Sequence, residues 1–342
     1  MGLGHDHARP ADDLANGSAH GEATAAGTRR RLGLVLAITA TVLLAELIGT
    51  VLTGSLALLT DAAHMLVDVG GLTMAFLAAG LVRRPATARR TWGLRRVEVL
   101  AAGAQALLLA GVGVYGLVEG IRRLFAPPEV PGGLLLVFGA IGLAGNMAGL
   151  LLLRSRRADG LNLRAAFLEV AADALGSVAV IAAALVIWTT GWGRADAVAG
   201  ILIALVIVPR ALVILRAVVR ILLESVPAEI ELAEVHRHLT ERPEVLDVHD
   251  LHIALIDSRL PVLTAHVVVA EACFESGRAG PVLRDLRSCL AAHFSPALTH
   301  TTLQLEPAGD AAACAGAAGF APVDAPSRWP ATPSRCPSAR DV

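Results

Sequence analysis

The chain has 342 residues, of which 55% are hydrophobic and only 17% charged, with a mean hydropathy of +0.62 and a formal net charge of −1. This is too apolar for a soluble chain of that size, and the near-neutral charge gives nucleic-acid binding no support. The sequence holds no lysine, which excludes a Walker A phosphate loop and a lysine Schiff base with pyridoxal phosphate. An ion gradient, rather than ATP, is the expected energy source.

Residues 1–30 form a polar, Ala-rich tail carrying His5, His7 and His20, a weak signal for a metal-capturing arm. Six apolar stretches follow, over 32–52, 56–82, 97–121, 132–153, 165–189 and 195–215. Each is long enough to span a bilayer as a helix, which takes about 20 residues. Because the tail precedes it, the first stretch reads as an uncleaved span rather than a signal peptide. Glycine and alanine recur throughout and allow close helix contact. Arg29, Arg30 and Arg31 precede span one, Arg83, Arg84, Arg89, Arg90, Arg95 and Arg96 follow span two, and Arg154, Arg156, Arg157 and Arg164 follow span four. The opposite loops carry only Arg122, Arg123 and Arg194. By the positive-inside rule both termini are cytoplasmic.

Ionisable groups inside spans are costly and normally face a partner or an ion path. His64 and Asp68 lie four apart in span two, and Glu169 and Asp173 four apart in span five. Each pair therefore lies on one helix face and points at one spot. Two such helices facing each other supply four ligands for a metal ion. Asp61 is either an orienting partner for His64 or a solvent-facing residue near the helix end. Glu46 and Asn146 read as hydrogen-bonding groups between helices rather than as ion-path residues. No H-E-x-x-H pair is present, and no further catalytic constellation accompanies the four ligands, which argues against a membrane metallohydrolase. The runner-up to a transporter is a membrane-embedded metal sensor or regulator without transport turnover.

After span six the pattern becomes that of a soluble domain. Helical periodicity covers 229–242 and 280–293, and strand-like runs cover 244–256, 260–271 and 299–306. This αββαβ order suits a small sheet with helices on one face. His249, His252 and His266 lie on its strands, and Glu306 ends the last one. From 307 the chain is rich in Ala, Pro and Ser and is expected to be disordered. Cys273, Cys289, Cys314 and Cys336 fall on the cytoplasmic side, where disulfides are not expected, and their spacing fits no zinc ribbon. The lack of lysine beside abundant Ala, Gly and Arg suggests a GC-rich bacterial source, hence the inner membrane.

The run Gly54-Ser-Leu-Ala-Leu-Leu-Thr-Asp61-Ala-Ala-His64-Met-Leu-Val-Asp68 resembles the second helix of the cation diffusion facilitator family, particularly its zinc, cadmium and cobalt efflux branch. The resemblance continues through Arg96-Val-Glu98-Val-Leu, Pro127-Pro-Glu-Val, Asp173-Ala-Leu-Gly-Ser177 and Val248-His249-Asp-Leu-His252-Ile, and covers nearly all of 30–306. It implies proton-coupled export of divalent metal, zinc first and also cadmium and cobalt, by a homodimer in the cell membrane. It implies a polytopic all-α domain of six transmembrane helices (31–222) followed by a small α+β ferredoxin-like cytoplasmic domain (223–306) that binds metal and helps dimerise. The implied partners are divalent metal ions, protons and lipid, and no cofactor is implied beyond the metal. The transport site falls on His64, Asp68, Glu169 and Asp173, and His249, His266 and Glu306 match cytoplasmic metal ligands. One position departs from the zinc branch: 169 is usually histidine and is here glutamate, which makes the site harder and more anionic.

Overall fold

The computed structural model describes residues 33–154 and 161–309, with side chains described from 167 onward in the second stretch. The tail histidines, Arg156 and Arg157, Cys314 and Cys336, and the tail beyond 309 lie outside the described residues.

Six helices long and apolar enough to cross a membrane follow one another: α1 (Gly33–Thr53), α2 (Leu56–Val82), α3 (Arg96–Phe125), α4 (Gly132–Arg154), α5 (Leu161–Thr190) and α6 (Arg194–Leu222). A helix satisfies its own backbone N–H and C=O groups, which a lipid environment cannot do. The side chains divide accordingly. Leu44, Phe76, Leu107 and Val206 are exposed, whereas Glu46, Asp61, His64, Asn146 and Asp173 are buried. That inverted distribution suits a bundle with lipid outside and a polar interior. The chain is a multi-pass membrane protein.

The breaks between helices have local causes. Gly54, at φ +66°, ends α1 in the left-handed region, with its N–H donating to Thr50 O at 2.9 Å. Two residues later α2 begins, and its N-terminus is held by a residue distant in sequence. Asp196 of α6 accepts from Leu56 N at 2.6 Å, from Ala57 N at 3.3 Å and from the Ser55 hydroxyl. Arg123 closes the same corner by donating to Gly54 O at 2.7 Å, and Arg194 donates to Leu124 O at 2.7 Å. Thus two of the three arginines expected on the outer side serve as caps for carbonyls at helix ends.

After α6 come α7 (Leu232–Thr240), β1 (Val245–Leu255), β2 (Pro261–Val269), α8 (Glu271–Glu275), α9 (Ala279–His293) and β3 (His300–Pro307). The strands form one sheet in the order β1-β2-β3, antiparallel between β1 and β2 and parallel between β2 and β3. This is the expected α+β domain; the short α8, unforeseen, fills the turn after β2. Its core joins Val235 and Leu239 of α7, Leu263 and Val267 of β2, and Leu286 and Leu290 of α9, all buried. Alternation along β2 sends these valines and leucines into the core and leaves Thr264 exposed and His266 half-buried on the opposite face.

The backbone divides into two compact units. The first takes the residues up to Leu72 together with Gln105–Leu212; the second takes Thr73–Ala104 and Val213 onward. Within the second, the segment between α2 and α3 is fastened to the α+β domain. Arg95 Nη1 lies 3.0 Å from Asp257 Oδ2, Ser258 donates to Glu98 at 2.8 Å, and Trp92 meets His300 edge to face at 4.8 Å. Burial works to raise the Asp257 carboxyl, but donation from Arg259 N–H, Arg95 and Leu260 N–H outweighs it and holds the group below the usual aspartate range.

Candidate metal sites

Small residues let the first unit close around polar groups. A side chain at Gly142 on α4 would come within 3.0 Å of Glu46 Oε1 and Ser177 Oγ, and one at Gly176 on α5 within 2.7 Å of Asp61 Oδ1. Glu46 and Asp61 are therefore packed directly on neighbouring helices, and Asp61 is buried rather than at a solvent-facing helix end. Asn146 donates to Ser177 Oγ at 3.2 Å, a hydrogen bond between α4 and α5.

Beside this layer stands His64. Its Nε2 lies 3.2 Å from Asp173 Oδ1 on α5, and its Nδ1 lies 3.2 Å from Asp68 Oδ2 one helical turn away. The second contact lacks hydrogen-bond alignment, so Nδ1 keeps no directed partner. One ligand atom each from His64, Asp68 and Glu169 falls within 4.8 Å of the others. Asp173 is not part of that trio and instead holds the ring from its other nitrogen. Two further side chains enter. Gln105 of α3 donates to Asp68 Oδ1 at 3.3 Å. Arg210 of α6 donates through Nη2 to both Glu169 oxygens, at 2.8 and 2.6 Å, and its Nη1 lies 3.8 Å from Asp68 Oδ2.

The α+β domain gathers a second group. His249 and His266 are cross-strand partners in the β1/β2 register, so both rings project from one face, 5.2 Å apart. Glu306 on β3 completes the set: Oε2 lies 3.1 Å from His249 Nε2 and Oε1 lies 2.7 Å from His266 Nδ1. The shorter contact is misaligned for a hydrogen bond. Two imidazoles and a carboxylate converging in this way match the donor types that zinc accepts. Burial works to raise Glu306, but the His266 charge, with hydrogen bonds from His249 and Gln304, outweighs it and holds the carboxyl below the usual range. His252 is separated from this group: Asp250, at φ +50°, marks a register shift in β1, and His252 pairs with it at 2.8 Å on the exposed side.

The profile of the cation efflux transmembrane domain matches residues 32–223, more than half of the chain. The chain belongs to the cation efflux family. It is 40% identical over 306 residues to the metal cation efflux system protein CzcD of Cupriavidus metallidurans, covering 90% of both chains. It is 38% identical to the zinc transporter ZitB of Escherichia coli, covering 81% of this chain and 87% of that one. With a cadmium, cobalt and zinc/H(+)-K(+) antiporter of Bacillus velezensis it shares 34% identity over 84% of this chain and 92% of the relative. The protein is thus a metal cation efflux transporter of the zinc, cadmium and cobalt branch, and not an enzyme.

Two residues at the candidate membrane site of this cation efflux protein, Arg210 and Gln105, and a third at the first turn of α2, Asp196, were not singled out from the sequence. Arg210 lies inside span six, and an arginine at membrane depth is itself a signal; it was hidden by the apolar average of its surroundings. Gln105 and Asp196 carry no comparable mark, because a single polar residue in an apolar helix gives no indication of its partner.

Proposed function

We propose that the protein exports divalent transition metal, zinc first and also cadmium and cobalt, from the cytoplasm in exchange for protons, by alternating access through His64, Asp68, Glu169 and Asp173. The observation that carries this reading is the meeting of α2 and α5 at one imidazole, with a carboxylate against each ring nitrogen. Coordination requires a bare imidazole nitrogen and ionised carboxylates, so a cation entering among these groups sends protons out, and protons arriving from the other side discourage rebinding. The Bacillus velezensis relative is a cadmium, cobalt and zinc/H(+)-K(+) antiporter by name, which supports this coupling.

The protein works as a homodimer in the bacterial inner membrane, with both termini and the α+β domain in the cytoplasm. Residues 31–222 form the transport domain, and 223–306 the cytoplasmic domain. His249, His266 and Glu306 bind metal there and steady the dimer by mass action. The deciding experiment is zinc, cadmium and cobalt uptake into sealed proteoliposomes. Asp68→Ala and Asp173→Ala should each reduce flux to background while leaving the fold intact; retained flux of every metal rejects the site. In the full-length protein, replacing His249, His266 and Glu306 together should lower the zinc stoichiometry seen by calorimetry. An unchanged stoichiometry rejects the cytoplasmic set.

A further inference from the structure

Arg210 lies sixteen residues beyond the start of α6, about 24 Å along the axis at 1.5 Å per residue, and follows the helix-interior Pro209. That is five residues before the end of the apolar span, and a guanidinium within a span is costly unless an anion or the interface receives it. Here two anions do: both oxygens of Glu169 within 2.8 Å and Asp68 Oδ2 at 3.8 Å. The two carboxylates that Arg210 engages belong to the proposed transport site, and one of them, Glu169, stands where the zinc branch usually has histidine.

We propose that Arg210 is a resident counter-cation of the transport site, a specificity-determining residue whose guanidinium competes with the incoming divalent metal for Glu169 and Asp68. This rests on the site reading above. A guanidinium stays charged at any working pH, and here Nη2 alone donates to both Glu169 oxygens while Nη1 faces Asp68. Three carboxylates against one guanidinium leave two formal negative charges, the number that one divalent ion cancels. Had position 169 been the usual neutral imidazole, the same two charges would remain with no arginine present. Glu169 and Arg210 thus act as a compensated pair, adding one charge of each sign. The pair is not inert, however. Metal binding to Glu169 at coordination distance draws on an oxygen that already accepts from Arg210, and the two cations repel. A monovalent ion gains little by displacing a cation of equal charge, whereas a divalent ion doubles the attraction. The arrangement therefore filters by charge, and it weakens metal binding enough for the ion to leave.

The test is zinc uptake by full-length protein in proteoliposomes, reading half-saturating zinc and maximal rate separately. Arg210→Gln should lower half-saturating zinc about tenfold, a coupling within the range that neighbouring charges show, and should lower the maximal rate because release slows. Glu169→Gln should raise half-saturating zinc, since a ligand is lost and the arginine is left against Asp68. Adding Arg210→Gln to Glu169→Gln should bring it down again. A half-saturating zinc in Arg210→Gln equal to or above that of the native protein overturns the proposal. If Arg210→Gln alone does not fold, the Glu169→Gln pair decides: no difference between the single and the double variant overturns it. Asp173→Ala separates the two failures, because surviving flux there means the site itself is misplaced, whereas lost flux with unmoved Arg210 variants rejects only the counter-cation.

Discussion

A carboxylate at position 169 does different work from an imidazole because it is already in partnership. Glu169→His alone removes the fork that Arg210 grips and leaves the guanidinium facing Asp68 and a ring that ionises near neutrality. Flux of zinc, cobalt and manganese should all fall in that single variant. With Arg210→Gln added, zinc flux should recover ahead of manganese, since the restored nitrogen donor is the softer one. Equal flux of the three metals in both variants would show that 169 does not touch the ion. His64 and Asp68 could be read from the sequence because a four-residue step on a helix fixes their relation, and the same holds for Glu169 and Asp173. The relation between Glu169 and Arg210 depends on how α5 and α6 pack, which no spacing along the chain encodes.

Helix α2 carries His64 and Asp68, the proposed ligand pair, and its position begins at its first turn. Asp196 receives two backbone N–H groups and a hydroxyl there, fixing α2 to the start of α6. Hydrogen bonds to a charged acceptor are each worth about 1.5–3 kcal/mol, so Asp196→Ala should lower unfolding stability in detergent by at least about 2 kcal/mol and reduce flux without touching a metal ligand. Thermal unfolding unchanged from the native protein would count against that anchor. The element pattern was legible because hydropathy marks spans and a period of two marks strands. What anchors one helix end to another was not, since an aspartate in the first turn of α6 reads equally well as a favourable charge on its own helix dipole.

At the scale of the molecule, the arginine-rich segment between α2 and α3 does more than carry positive charge; Arg95 is fastened to Asp257, whose side chain is only 5% exposed. Since the folded state holds Asp257 below its ordinary value, its contribution is complete above the unfolded aspartate range and is lost as pH falls through the folded value. Asp257→Asn at neutral pH should mimic that loss, and trypsin, which finds arginine and no lysine in this chain, should cut between α2 and α3 several times faster than in the native protein. Unaltered cleavage would show that the contact does not hold the segment. The arginine count gives an expected orientation, whereas it carries no sign of the docking, because a loop rich in cations looks the same whether it is solvated or bound. Sulfur is placed with similar economy. Cys273 and Cys289 sit in the hydrophobic interior of the α+β domain, and neither cluster of candidate ligands uses a thiolate among the described residues. Thiolates grip soft ions such as cadmium most firmly. Were the two candidate clusters to hold such ions, they would do so with nitrogen and oxygen donors alone, a weaker grip than thiolate and one without a thiol for oxidants to consume.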